Sequence, residues 1–61
     1  LSGLGKKSIK EVAQTLGLST QEFIGKLKTL DLAANEDDKF KDVVESKDLS
    51  PSDVLEKLGY K

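Results

Sequence analysis

A single offset constrains this chain more than any other feature: residues 8–27 reappear, ungapped, 31 positions later. Ile9 falls on Phe40, Val12 on Val43 and Ala13 on Val44; after a break, Leu18 falls on Leu49, Ser19 on Ser50, Phe23 on Val54, Ile24 on Leu55 and Leu27 on Leu58. Apolar positions stay apolar and the turn serines keep their places. A fold for this chain must therefore build one unit twice and give both units somewhere to bury the same stripe.

Each unit reads as a helical hairpin. Ser8 and Glu11 have the spacing of a capping box, in which the hydroxyl accepts from a free backbone N–H and the carboxylate reaches back to the cap. Ile9, Val12, Ala13 and Leu16 then fall on one helical face. Gly17 ends the helix, because Gly adopts the left-handed turn without a Cβ penalty. Ser19 and Glu22 repeat the cap, and Phe23, Ile24, Leu27 and Leu30 form the next inner face. Gly25 stands mid-helix, where the repeat places Glu56, so it is expected to face outward. In the second unit Phe40, Val43 and Val44 make the stripe, Asp37 or Asp38 is expected as the N-cap, and Asp48 takes the place of Gly17. Ser50-Pro51-Ser52-Asp53 opens the last helix with Ser at the cap, Pro at the first helical position and an acid in the first turn. Val54, Leu55 and Leu58 follow, Gly59 stops the helix, and Tyr60 is expected to fold back over the core.

The expected fold is therefore all-α: four short helices in two tandem helix-turn-helix-like hairpins related by a pseudo-twofold repeat. Residues 1–7 form a flexible lead-in, with Leu4 the one side chain placed to reach the core. Residues 8–61 form one four-helix domain, with hairpin one at 8–30, a connector at 31–38 and hairpin two at 39–59. Helices this short are marginal alone, so the two hairpins must merge their stripes. The chain opens on Leu1 rather than Met, which reads as a segment of a longer protein.

Composition narrows the function classes. The 61 residues contain neither Cys nor His, so disulfides, thiolate sites and the commonest catalytic base are out of reach. There is no P-loop and no paired carboxylate within an apolar stretch, and Ser8, Ser19 and Ser50 are accounted for as caps. The reading is non-enzymatic, with no cofactor and no metal. The acids of the connector lack the alternating pattern and distal Glu of a calcium loop. No apolar run is long enough to cross a bilayer, so direct membrane insertion by this segment is not expected. Net charge is −1, divided unevenly: residues 1–34 carry +2 and residues 35–61 carry −3.

Three resemblances follow from these residues. Ala13, Gly17 and Phe23, within Ile9-Lys10-Glu11-Val12-Ala13-Gln14-Thr15-Leu16-Gly17-Leu18-Ser19-Thr20-Gln21-Glu22-Phe23-Ile24, have the spacing of a bacterial helix-turn-helix and look like the DNA-reading unit of lactose-type repressors. That likeness implies a recognition helix beginning at Ser19, Thr20 and Gln21, with Lys26 and Lys28 near phosphates. Glu22 on that face, and basic residues that are all Lys with no Arg, weigh against base reading. The first half, to about Leu32, is similar to the small helical N-terminal subdomain of bacterial translation initiation factor two. The whole chain, through Gly3-Leu4-Gly5-Lys6, Ser8-Ile9, Phe40-x-Asp42-Val43-Val44 and Leu49-Ser50-Pro51-x-Asp53-Val54-Leu55, resembles a tandem helix-hairpin module of unknown function. That module occurs at the C-termini of some bacterial and archaeal membrane proteins, including ferredoxin-like and cytochrome b-like ones. The chain departs from its pattern at Val44 and Asp48. The resemblance implies a cytoplasmic appendage, the soluble tail of a larger protein.

Two functions are thus expected of different classes. The first is a non-catalytic interaction module that meets a protein partner or other domains of its parent, through an apolar patch around Leu4, Leu32 and Tyr60, through a dimer contact, or through the outer lysine face of the first hairpin, Lys6, Lys7, Lys10, Lys26 and Lys28, which suits an acidic partner. The second is a DNA-binding domain. The candidate contact face is Lys10, Ser19, Thr20, Gln21, Lys26 and Lys28; the DNA reading requires it to form one convex surface with Lys6 and Lys7.

Overall fold

The computed structural model describes residues 3–60; Leu1 and Ser2 of the expected lead-in, and Lys61 at the end of the expected domain, lie outside the described residues. Four helices follow a 3-10 turn at Leu4–Lys6: α1 (Ile9–Thr15), α2 (Thr20–Lys28), α3 (Phe40–Glu45) and α4 (Pro51–Lys57). No strand is present among the described residues.

Local chemistry decides where each helix starts. Ser8 Oγ accepts from Glu11 N at 3.2 Å while Ser8 N donates to Glu11 Oε1 at 2.9 Å, closing the box that opens α1. Ser19 and Glu22 do the same for α2 at 3.1 and 3.0 Å. Ser50 and Asp53 do it for α4, both bonds at 3.2 Å, with Pro51 at the first helical position. Each box meets two of the donors that a helix start leaves open.

The start of α3 corrects one expectation. Its N-cap is Lys39, with no side-chain cap bond, and neither Asp37 nor Asp38 fills that role. Asp38 is turned the other way: its carboxylate accepts from Asn35 N at 2.9 Å and closes a turn in the connector. The first N–H of the helix is met from the other half of the chain instead, as Phe40 N donates to Lys7 O at 2.9 Å.

All four helices end alike. A residue with positive φ follows the last turn, and the next residue, an apolar one, donates back to a carbonyl five residues earlier. Gly17 (φ 77°) is followed by Leu18 N to Ala13 O at 2.9 Å, and Asp48 (φ 58°) by Leu49 N to Val44 O at 3.1 Å. Asp31 (φ 64°) is followed by Leu32 N to Leu27 O at 3.0 Å, and Gly59 (φ 90°) by Tyr60 N to Leu55 O at 2.8 Å. This is the Schellman arrangement, in which the residue after the left-handed position turns inward. Asp48 thus performs the turn expected of it, and Asp31 is a second non-glycine turn of the same kind.

The hairpins meet through backbone. Ser8 and Lys39 form an antiparallel bridge: Ile9 N donates to Asp38 O at 2.8 Å and Phe40 N donates to Lys7 O at 2.9 Å. These two bonds exchange partners when the 31-residue offset is applied. Above them Phe23 of α2 and Phe40 of α3 pack edge to face, with ring centroids 5.6 Å apart and planes at 61°. The α1 helix packs on α2 and α3 on α4, while the 3-10 turn lies on α3. The described part of the lead-in is therefore helical turn from Leu4, whose side chain is 3% exposed.

The core is the merged stripe: Ile9, Val12 and Ala13 from α1, Phe23 and Leu27 from α2, Phe40, Val43 and Val44 from α3, Val54 and Leu55 from α4, with Leu4 and Leu32 added from outside the helices. Every buried side chain among the described residues is hydrophobic. Extents of 24 × 21 × 20 Å mean that the hairpins stack face to face rather than run end to end.

Two glycine substitutions of identical chemistry should act in opposite directions. Gly25 is exposed, and a Cβ there would meet nothing within 4 Å; Gly25→Ala should stabilise the domain by about 1 kcal/mol. Gly17→Ala also meets open space but must hold φ near 77°, and should destabilise by about 1 kcal/mol. Urea unfolding of the two variants checks both signs.

Candidate interaction surface

The first hairpin buries two of the three residues on which the helix-turn-helix resemblance rests and turns at the third. Ala13 is fully buried on α1, Gly17 makes the turn, and Phe23 is fully buried on α2. These are the three positions that hold such a hairpin together.

The candidate contact residues are distributed over α2 and the start of α1. Gln21 and Lys28 are exposed, Thr20 and Lys26 half-buried, and Ser19 is exposed but engaged as the cap of α2. Lys10 is exposed too, and its backbone N–H donates to Glu36 O at 3.1 Å. That bond sets Lys10 beside the acidic connector, a setting in which neighbouring carboxylates weaken its pull on a phosphate.

Charge at the start of α2 is fixed by the cap itself. The backbone N–H of Ser19 holds the Glu22 carboxyl below its ordinary value of 4.5, helped by the Ser19 hydroxyl, against the opposing effect of burial, with the charge of Lys26 contributing least. Glu22 is thus an anion at the point where a recognition helix would approach DNA. Glu11 at α1 is lowered in the same way, first by the Ser8 backbone N–H and then by the Ser8 hydroxyl, with Lys7 and Lys39 adding smaller contributions.

The apolar patch expected around Leu4, Leu32 and Tyr60 is not formed. Leu4 and Leu32 are 3% and 1% exposed, and Tyr60 is half-buried against the core. Leu4 is drawn in by the 3-10 turn on α3, and Leu32 by the left-handed turn at Asp31. Beside Leu32 a shallow groove is lined by Lys28, Asp31, Ala33, Ser46 and Lys47. Lys47 Nζ spans it to Asp31 Oδ2 at 3.1 Å, the one ion pair among the described residues. Both partners are solvent-exposed, so the pair adds at most ~1 kcal/mol.

Other residues come together that the repeat alone does not suggest. The Ser8–Lys39 bridge carries Lys39 of the second half to the lead-in, where its Nζ lies 3.5 Å from Lys6 O. Lys41 lies against the same turn: a Cβ on Gly5 would stand 3.6 Å from Lys41 Cβ. The only sequence signal was the matching place of Ile9 and Phe40 in the two units, which says nothing of which backbone each one meets.

Among the described residues no group of three or more Asp or Glu is placed to hold a metal ion, and no helix is long and apolar enough to cross a membrane. No family model, curated protein or solved structure matches the chain.

The capping boxes make stability depend on acid pH with a definite sign. Glu11 and Glu22 have folded-state pKa values below 4.5. Their contribution is fully present above the unfolded value and is lost as pH falls through the folded value. Glu11→Gln/Glu22→Gln should flatten that acid limb, leaving a urea midpoint that varies less between neutral pH and the folded pKa values than in the unmodified chain.

Proposed function

We propose that this domain is a non-catalytic interaction module carried by a larger protein, presenting a charged surface to a protein partner or to other domains of its parent. One observation carries the reading: every buried side chain among the described residues is hydrophobic. The interior is given over to holding two hairpins together, and the chemistry available to a partner is on the outside. In this reading the module sits on the cytoplasmic side as a soluble tail, in line with the resemblance of Gly3-Leu4-Gly5-Lys6 and Leu49-Ser50-Pro51 to the tandem-hairpin module. It needs no cofactor.

A second reading is DNA binding through α2, favoured by the burial of Ala13 and Phe23 about the Gly17 turn. The anionic Glu22 carboxylate and the absence of Arg from the sequence stand against it. Lysine offers a point charge for phosphate but no planar fork for a guanine edge.

Titration of the ¹⁵N-labelled domain with a mixed-sequence DNA duplex at low salt separates the two. The interaction-module reading expects no clustered amide shifts on α2. Shifts gathered at residues 19–28 that fade steeply as salt rises would replace it with the DNA reading.

A further inference from the structure

Backbone pairing at the hairpin seam gathers lysines that the sequence keeps far apart. Lys6 and Lys39 are separated by 33 residues, yet Lys39 Nζ lies 3.5 Å from Lys6 O. Lys7 sits across the bridge, its carbonyl accepting from Phe40 N at 2.9 Å. Lys41 completes the group against Gly5, at the 3.6 Å approach described above. All four side chains are exposed, and among the described residues none is in ion-pair contact with a carboxylate.

The nearby acids are directed elsewhere or flank the group. Glu11 is close enough for Lys7 and Lys39 to lower its pKa, but its Oε1 is turned to Ser8 N at 2.9 Å. Asp38 is turned to Asn35 N at 2.9 Å. Asp42 follows Lys41 on α3 and is exposed. The seam is thus a short basic strip bordered by negative charge.

We propose that this strip, Lys6, Lys7, Lys39 and Lys41, docks a short acidic segment of a partner protein, its carboxylates meeting the four ammonium groups. The proposal rests on the interaction-module reading and gives that module's partner a chemistry. Lys7 and Lys39 flank the bridge in extended backbone, with φ/ψ of −91°/156° and −74°/134°, and both lie near the Glu11 carboxylate. An extended peptide brings a carboxylate to one face every second residue, which suits a strip of this kind. A long polyphosphate backbone suits it poorly, since Glu11, Asp38 and Asp42 border the strip and repel a uniform anion that overruns it.

The test is titration of the ¹⁵N-labelled domain with a blocked oligoglutamate peptide at low ionic strength, with oligoglutamine as the neutral control. Amide shifts are expected to centre on Lys6, Lys7, Lys39 and Lys41, to be absent with oligoglutamine, and to weaken as salt shortens the screening length. The K39E/K41E variant should bind about tenfold more weakly or worse and should keep a cooperative urea transition, because both side chains are exposed and lie outside the core. K57E, on the exposed face of α4, should bind as the unmodified chain does. Absence of shifts at low salt overturns the proposal. So do shifts centred on Lys26 and Lys28, or equal weakening by K57E, and either of these leaves the interaction-module reading standing. A DNA duplex that shifts the seam amides at lower concentration than the peptide also overturns it, in favour of a nucleic-acid ligand.

Discussion

Two crossed backbone bonds hold this fold in register: Ile9 N to Asp38 O and Phe40 N to Lys7 O. Helices of six to nine residues have little stability of their own in water. A hairpin made of two of them exposes its whole apolar stripe. The crossed bonds fix how the two stripes meet, because each begins one residue beyond the bridge, at Ile9 and at Phe40. From that anchor Phe40 reaches Phe23 of the other hairpin at an edge-to-face angle, a geometry that adds roughly 0.5–1.5 kcal/mol to the burial itself. Leu4 follows, because the chain entering the bridge must run over α3. The close approach of Gly5 to Pro51, where an added Cβ would stand 3.2 Å from Cγ, comes from the same crossing.

The helix ends were legible in the sequence because their chemistry is local. A Ser with an acid three residues on is a cap wherever the chain goes next, and all three such pairs close as boxes. The stripes were legible for the same reason, since a 3.6-residue period needs only an inside to face. Asp48 could be assigned its left-handed turn by register with Gly17. Asp31 could not, because α2 runs further past the repeat than α4 does: Asp31 and Gly59 are equivalent turns that the 31-residue offset fails to align.

What was hidden involves the other hairpin. Asp37 and Asp38 look like caps because a helix start without a side-chain cap ordinarily costs stability. Here α3 starts instead at the bridge, where Lys7 O accepts from its first N–H and Lys39 stands at the cap position with no side-chain cap bond. The lead-in shows no periodicity, and Leu4 is buried only because the bridge places α3 beneath it. Surface chemistry was the least legible of all. Lysine proximity on a surface follows from which backbones pair, and Lys39 joins Lys6 and Lys7 only through the seam, while the expected apolar patch disappears beneath the same contacts.

The reciprocity of the crossed bonds has a consequence for how such a domain can diverge. The same two bonds would serve equally between two separate copies of one hairpin, but that assembly would fall apart on dilution and its members would be identical. Joined by the segment from Asp31 to Asp38, the second hairpin meets the first at an effective concentration set by the tether alone. The fold then no longer depends on protein concentration. Nor must the two copies match: one can keep Ser8 at its cap while the other carries Lys39, and one can be basic while the other is acidic. Covalent linkage turns a symmetric pairing into a surface with distinguishable sides.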